Sequence, residues 1–238
     1  MKNQFSGPFS SAIASQNARG LVAVIPDIKC ISPKEGDLLH GRNPAEMARL
    51  LVDCGAPVLS VVTEKEHFGG SPELLRAVAD AVSVPVLRKD FITNEDMLLE
   101  TAELGATAVL LICAILDPKT LATLYQKALE LELEPLVEVH TKPEMEFAGR
   151  LGARLIGINN RNIRSLERDN GGVEQTKALA ACVPTGAILI SESGILSAKD
   201  ARMAVSAGAN AILVGTALWQ AHDIEAAYRA LRIKMRSD

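Results

Sequence analysis

Residues 135–159 read PLVEVHTKPEMEFAGRLGARLIGIN, and this stretch decides the fold. It opens on a short apolar run, 135–139, bounded by Pro135 and carrying two valines, which suits a buried strand. Thr141 then precedes Lys142-Pro143, the chemistry of a helix N-terminus, and the apolar spacing predicts a helix over 142–151. Gly152-Ala153 follows. A glycine that ends a helix takes up the left-handed conformation without strain, and a small residue lets the chain turn inward. A second apolar run, 155–159, completes strand, helix and strand. Strands joined through a helix pair in parallel.

The same unit recurs in both directions along the chain. Strand candidates are 21–29, 57–63, 86–89, 108–112, 135–139, 155–159, 187–191 and 211–214. Helical windows alternate with them at 44–54, 72–81, 94–104, 118–131, 142–151, 174–182, 198–207 and 224–235. In the fourth window Leu121, Leu124, Tyr125 and Ala128 fall on one face. Cap chemistry marks Asn43-Pro44, Ser71 before Pro72, and Asp117-Pro118. The Gly-Ala turn returns at Gly55-Ala56, Gly105-Ala106 and Gly208-Ala209. Eight such units in 238 residues favour closure into one (β/α)8 barrel of the TIM type, which needs roughly 250 residues. No G-x-G-x-x-G follows the first strand, so a dinucleotide fold has no support. The expected organisation is an arm over residues 1–18, polar and Ser-rich, frayed or folded as a short lid helix, then a barrel over 19–238.

Composition agrees with a sheet buried on both faces. Apolar residues make up 48% but aromatics only 3%, so Ala, Val, Ile and Leu must fill the core. A net charge of −4 argues against nucleic acid or an anionic membrane as the main partner. Cys30, Cys54, Cys113 and Cys182 are irregularly spaced, with no C-x-x-C pair. They read as reduced, mostly buried thiols of a cytoplasmic protein. Residues 1–10 lack the apolar core of a signal peptide, and no apolar run reaches membrane-spanning length. The outer helix faces carry no long apolar stripe, consistent with a monomer or a weak homo-oligomer.

In a closed barrel, the groups that do chemistry stand at strand C-termini and in the loops after them. Polar residues ending apolar strands are therefore the informative ones. Strand one ends in Asp27-Ile28-Lys29, with Asp27 and Lys29 on one face. Lys89, Glu138 with His140, Asn159 with Arg161, and Glu192 end strands three, five, six and seven. One such charge is commonly a strand-end salt bridge. A set on five strands is costly to bury without a purpose. Ser193-Gly194 and Gly215-Thr216 follow strands seven and eight, where barrels of this kind hold phosphate on backbone N–H groups and a helix N-terminus. Lys29 and Ser32 face them across the rim.

At these residues the chain resembles the indole-3-glycerol phosphate synthase family. The resemblance runs from about Val22 to the C-terminus. It rests on Lys29 with Ser32-Pro33, Phe68-Gly69-Gly70-Ser71, Leu87-Arg88-Lys89-Asp90-Phe91, Leu136-Val137-Glu138-Val139-His140, Ile156-Gly157-Ile158-Asn159-Asn160-Arg161-Asn162 and Ser191-Glu192-Ser193-Gly194-Ile195. It implies a carbon–carbon lyase of tryptophan biosynthesis acting on 1-(2-carboxyphenylamino)-1-deoxyribulose 5-phosphate, with loss of CO2 and water.

By that resemblance Lys89 is the general acid and Glu138 the base, while Lys29 neutralises phosphate and contributes to proton transfer. Arg161 suits the substrate carboxylate. Asn159, Glu192 and Ser193 orient hydroxyls and catalytic groups, and Phe68, Phe91, Leu110 and Ile163 form the slot for the aromatic ring. No metal or organic cofactor is implied. Asp27 is a departure, since the family usually carries Glu there. Two other readings fit the same residues: a diverged relative working on another amino-ketose phosphate, and a non-catalytic barrel that binds a phosphometabolite.

Overall fold

Eight parallel strands close on themselves in the computed structural model, which describes residues 7–161 and 172–235. In chain order the strands are β1 (Ala23–Ile28), β2 (Ile31–Ser32), β3 (Gly36–Asp37), β4 (Leu59–Val62), β5 (Val86–Lys89), β6 (Ala108–Ile112), β7 (Glu134–Val139), β8 (Leu155–Asn159), β9 (Ile188–Glu192) and β10 (Ala211–Val214). The barrel runs β1-β10-β9-β8-β7-β6-β5-β4 and closes through Asp27 beside Ser60. β2 and β3 form an antiparallel hairpin outside it, in the loop after β1.

The helices are α1 (Pro8–Ala18), α2 (Pro44–Asp53), α3 (Pro72–Ala81), α4 (Glu95–Glu103), α5 (Pro118–Glu130), α6 (Lys142–Leu151), α7 (Glu174–Leu179), α8 (Ala198–Ala207), α9 (Thr216–Trp219) and α10 (Ile224–Leu231). The expected caps are present. Asn43 accepts from Ala45 N and Glu46 N, Ser71 from Leu74 N, and Asp117 from Lys119 N and Thr120 N. Thr141 and Glu144 cap α6 reciprocally. The glycines of all four Gly-Ala turns have positive φ, from 74° at Gly152 to 114° at Gly208.

Alternation along each strand separates two cores. Ile25, Leu87, Leu110, Leu136, Leu155, Ile190 and Leu213 fill the barrel interior, while Val24, Val61, Val109, Val137, Ile156 and Ile212 pack outward against the helices.

Five expectations are corrected. Residues 8–18 do not act as a lid over the strand C-termini, because α1 packs under the opposite end. Its Phe9 and Ile13, both fully buried, join the interior core, and the Glu134 carboxylate at the start of β7 accepts from Phe9 N (2.5 Å) and Ser10 N (3.1 Å). One acidic group thus satisfies orphan N–H groups at the start of α1.

The first strand begins at Ala23 rather than Leu21, and the last helix stops at Leu231 rather than Met235. The two shortfalls have one cause: Val22 N donates to Ile233 O (3.0 Å) and Met235 N to Gly20 O (2.9 Å), so the two flanks pair with each other. The window over 174–182 tightens into a 3-10 turn at Ala180–Cys182. Finally, no disulfide forms among the four cysteines, but only Cys54 is buried. Cys182 is exposed because its turn lies on the surface.

Phe9→Ala removes a whole aromatic ring from a closed core and is expected to lower stability by about 3–5 kcal/mol. Chemical denaturation measures this. A stability loss below 1 kcal/mol would show that α1 is not part of the core.

Candidate active site

The end of β1 is held from two sides. Ser60 Oγ on β4 donates to Asp27 Oδ1 (2.7 Å), and the Trp219 indole N–H of α9 donates to the Asp27 carbonyl (2.8 Å). Both groups are buried, which fixes the strand and aims its carboxylate inward. Lys29, one residue past the strand, is 3% exposed. Its Nζ lies 3.4 Å from Thr216 Oγ1 and 5.5 Å from the Phe68 ring centroid. Ser32 is buried in the hairpin, where its hydroxyl accepts from Lys34 N (3.4 Å).

Lys89 ends β5 between two charges that face the other way. Arg88 points out towards α4, donating to Glu100 Oε2 (2.7 Å), Thr101 Oγ1 (3.1 Å) and the Met97 carbonyl (3.3 Å). It also pairs with Asp90 (3.2 Å), whose second carboxylate contact is Thr63 Oγ1 (2.5 Å). The strand is thereby pinned on its outer face, and the alternation of side chains leaves Lys89 to the inner one. Asp90 Oδ1 also accepts from Phe91 N (2.8 Å), and Phe91 packs half-buried against the interior core.

Two carboxyl groups lie deeper. Glu138 on β7 and Glu192 on β9 are 1% and 0% exposed. Among the described residues, neither oxygen of Glu192 and not Oε1 of Glu138 has a hydrogen-bond partner. Burial pushes the Glu192 carboxyl well above the usual carboxylate range; Glu138 and Asp27 add to the rise and Lys89 opposes it. The neutral form of Glu192 is therefore favoured. His140 Nε2 stands 3.6 Å from Glu138 Oε1. On β8, Asn159 Oδ1 accepts from Arg161 N (3.0 Å), which turns the chain and places Arg161, itself buried, at the rim.

The loops after β9 and β10 meet this group from the side. Ser193 and Gly194 both have positive φ, 61° and 72°. A Cβ on Gly194 would lie 2.2 Å from the Gly172 carbonyl, so only glycine lets the loop after β9 touch the segment that leads into α7. Gly215 caps α9, a helix of four residues. That is too short to build a macrodipole, so any anion there is held by backbone N–H groups and by Lys29 and Thr216.

One cavity is lined by Asp27, Lys29, Lys89, Arg161, Ser193, Gly194, Gly215 and Thr216. Eight of the expected residues, from five strands and their loops, are thus brought together. Glu138 on β7, and Asn159 and Glu192 on two of the same five strands, do not line it, nor do Ser32, Phe68 and Phe91, although the Phe68 ring centroid is 5.5 Å from Lys29 Nζ. Leu110 lies lower: it pairs with Leu136, one layer beneath the Ile112–Glu138–Gly157 row, inside the apolar core. Ile163 falls outside the described residues.

Three supporting residues escaped sequence reasoning. Ser60 was legible only as a lone hydroxyl in an apolar strand, Trp219 as the single tryptophan, and Gly157 as a glycine inside a strand.

A family model described as indole-3-glycerol phosphate synthase matches residues 2–231 of the chain. Curated proteins with that same name are similar over most of its length. The one from Pyrococcus furiosus is 44% identical over 200 residues, covering 84% of this chain and 87% of that protein. The one from Thermococcus kodakarensis is 43% identical over 209 residues, with 88% and 91% covered. The one from Geobacillus kaustophilus is 40% identical over 224 residues, with 93% and 85% covered. Among the described residues no helix is long and apolar enough to cross a membrane.

Proposed function

The chain belongs to the indole-3-glycerol phosphate synthase family, and from that premise we propose how its own residues carry out the reaction. The protein is a decarboxylating carbon–carbon lyase of tryptophan biosynthesis. It closes the indole ring of 1-(2-carboxyphenylamino)-1-deoxyribulose 5-phosphate and releases CO2 and water.

The phosphate lies among Lys29, Ser32, Gly194, Gly215 and Thr216. Arg161 takes the substrate carboxylate, which a planar guanidinium grips with two parallel hydrogen bonds. Phe68 and Phe91 receive the aromatic ring, Leu110 lies in the core layer beneath the Glu138 row, and the family resemblance adds Ile163. Lys89 protonates the ribulose carbonyl oxygen as the carboxylate-bearing ring carbon attacks the carbonyl carbon, so the new C–C bond forms without a free alkoxide. Loss of CO2 restores the aromatic ring. The former carbonyl oxygen, protonated a second time, leaves as water while Glu138 removes a proton to complete the indole. Lys29 contributes to these transfers. Asn159, Glu192 and Ser193 orient the sugar hydroxyls and the catalytic groups, and Asp27 supports Lys29 with a carboxylate anchored on Ser60.

The observation that carries this reading is the convergence of Lys29, Lys89 and Arg161 with Asp27 on one cavity whose other wall is the Ser193–Gly194 and Gly215–Thr216 loops. Three cations around a small space suit a ligand with two anionic ends. We read the protein as cytoplasmic, without a nucleic-acid partner, and as a monomer or weak homo-oligomer; the net charge of −4 supports the second of these.

The purified protein is expected to convert the carboxyphenylamino-deoxyribulose phosphate to a fluorescent indole product with one CO2 released per turnover. Binding of the substrate without product formation would overturn the catalytic reading and leave the pocket to another phosphorylated ligand.

A further inference from the structure

Gly157 sits in the middle of β8, paired with Glu138 on one side and Ile190 on the other. Its backbone does not require glycine, because Gly157 is not among the residues with positive φ. Glycine within a strand weakens it, through lost chain entropy and a missing side chain. The fold therefore bears a cost here that its own geometry does not explain.

The explanation lies on the neighbouring strand, β9. A Cβ built on Gly157 would stand 1.7 Å from Glu192 Oε1 and 2.9 Å from Glu192 Cδ, with Leu136 Cδ1 next at 3.4 Å. The space that a side chain at 157 would fill is the space the Glu192 carboxyl occupies. Glu192 is fully buried, and the strand on the other side of Gly157 is β7, which carries Glu138.

We propose that Gly157 is a positioning residue: by lacking a Cβ it provides the hole in the barrel interior that seats the Glu192 carboxyl beside Glu138. The inference rests on the synthase reading for the roles of the two carboxyls, but the seat itself is a matter of packing.

Gly157→Ala tests it. The clashing atom is the end of a flexible side chain, so the barrel accommodates the methyl group by displacing Glu192, not by unfolding. The expected result is a kcat lowered on the order of a hundredfold, the scale of a 1 Å misplacement, with little change in KM. The thermal midpoint is expected to hold or rise, because alanine suits a strand better than glycine.

The decisive arm is a second substitution. Glu192→Asp draws the carboxyl back by one methylene; it is expected to lower kcat in the parent and to raise it when added to Gly157→Ala. A purely structural role predicts a fall in thermal midpoint and a loss from Glu192→Asp in both backgrounds, and that outcome overturns the proposal.

Infrared difference spectra against Glu192→Gln isolate the carboxyl stretch of Glu192, and Gly157→Ala is expected to shift it. If the parent does not turn over the substrate, the synthase reading fails and this band alone decides. An unchanged band overturns the seat.

Discussion

Lys89→Ala is expected to remove turnover while leaving the barrel folded. Lys89 is half-buried at the end of β5 and lines the cavity. Its strand is held in place by Arg88 and Asp90 on the opposite face, through Thr63, Glu100 and Thr101, and none of those contacts involves the lysine. The thermal midpoint is therefore expected to change little. Loss of a positioned general acid lowers kcat by about 10²–10⁴-fold. Lys89→Arg separates charge from proton transfer: a guanidinium keeps the positive charge but does not release its proton in this range. It is expected to retain substrate binding and recover little of the rate. Initial rates of indole fluorescence, with circular dichroism as the folding control, measure both. Turnover within tenfold of the parent in Lys89→Ala would move the acid elsewhere, with Lys29 the first alternative.

The second large effect is expected from Glu138→Gln. The substitution is close to isosteric, so packing against Gly157 and Ile112 is preserved while the base is lost. A fall in kcat of about 10²–10⁴-fold with KM nearly unchanged is expected. The same change removes one of the two carboxylates that raise Glu192, so the Glu192 carboxyl moves back towards the ordinary range. Stability is expected to hold or increase, because an amide replaces a charged oxygen, Oε1, that has no hydrogen-bond partner among the described residues. A large rise in KM with kcat retained would recast Glu138 as a substrate-binding group.

Much of the site could be read from the chain because a parallel barrel ties function to position. A strand whose alternate residues are apolar and whose last residue is charged has a single rim on which to display that charge, so Asp27, Lys29, Lys89 and Arg161 could be placed together before any contact was known. The phosphate side was legible at Ser193-Gly194 and Gly215-Thr216 for the same reason. The supports behind those residues were not. Ser60 reaches Asp27 from the neighbouring strand and Trp219 reaches it from a distance of 192 residues. No local spacing encodes either contact.

The sequence by itself determined the alternation of eight strands with helices, the caps and left-handed glycines that bound them, and the face on which each strand-end charge lies. These are consequences of periods of 2.0 and 3.6 residues and of local hydrogen bonding, which act over a few residues. Only the tertiary structure decided the rest. It put α1 beneath the barrel, where Phe9 and Ile13 plug an apolar opening and Glu134 caps the helix from far along the chain. It ended the last helix early, because residues 233–235 pair with residues 20–22. It also gave Gly157 its meaning, since the empty volume of a glycine is visible only when another side chain is seen to fill it. Burial and pairing between distant segments are properties of the closed barrel, and no window of the chain contains both partners.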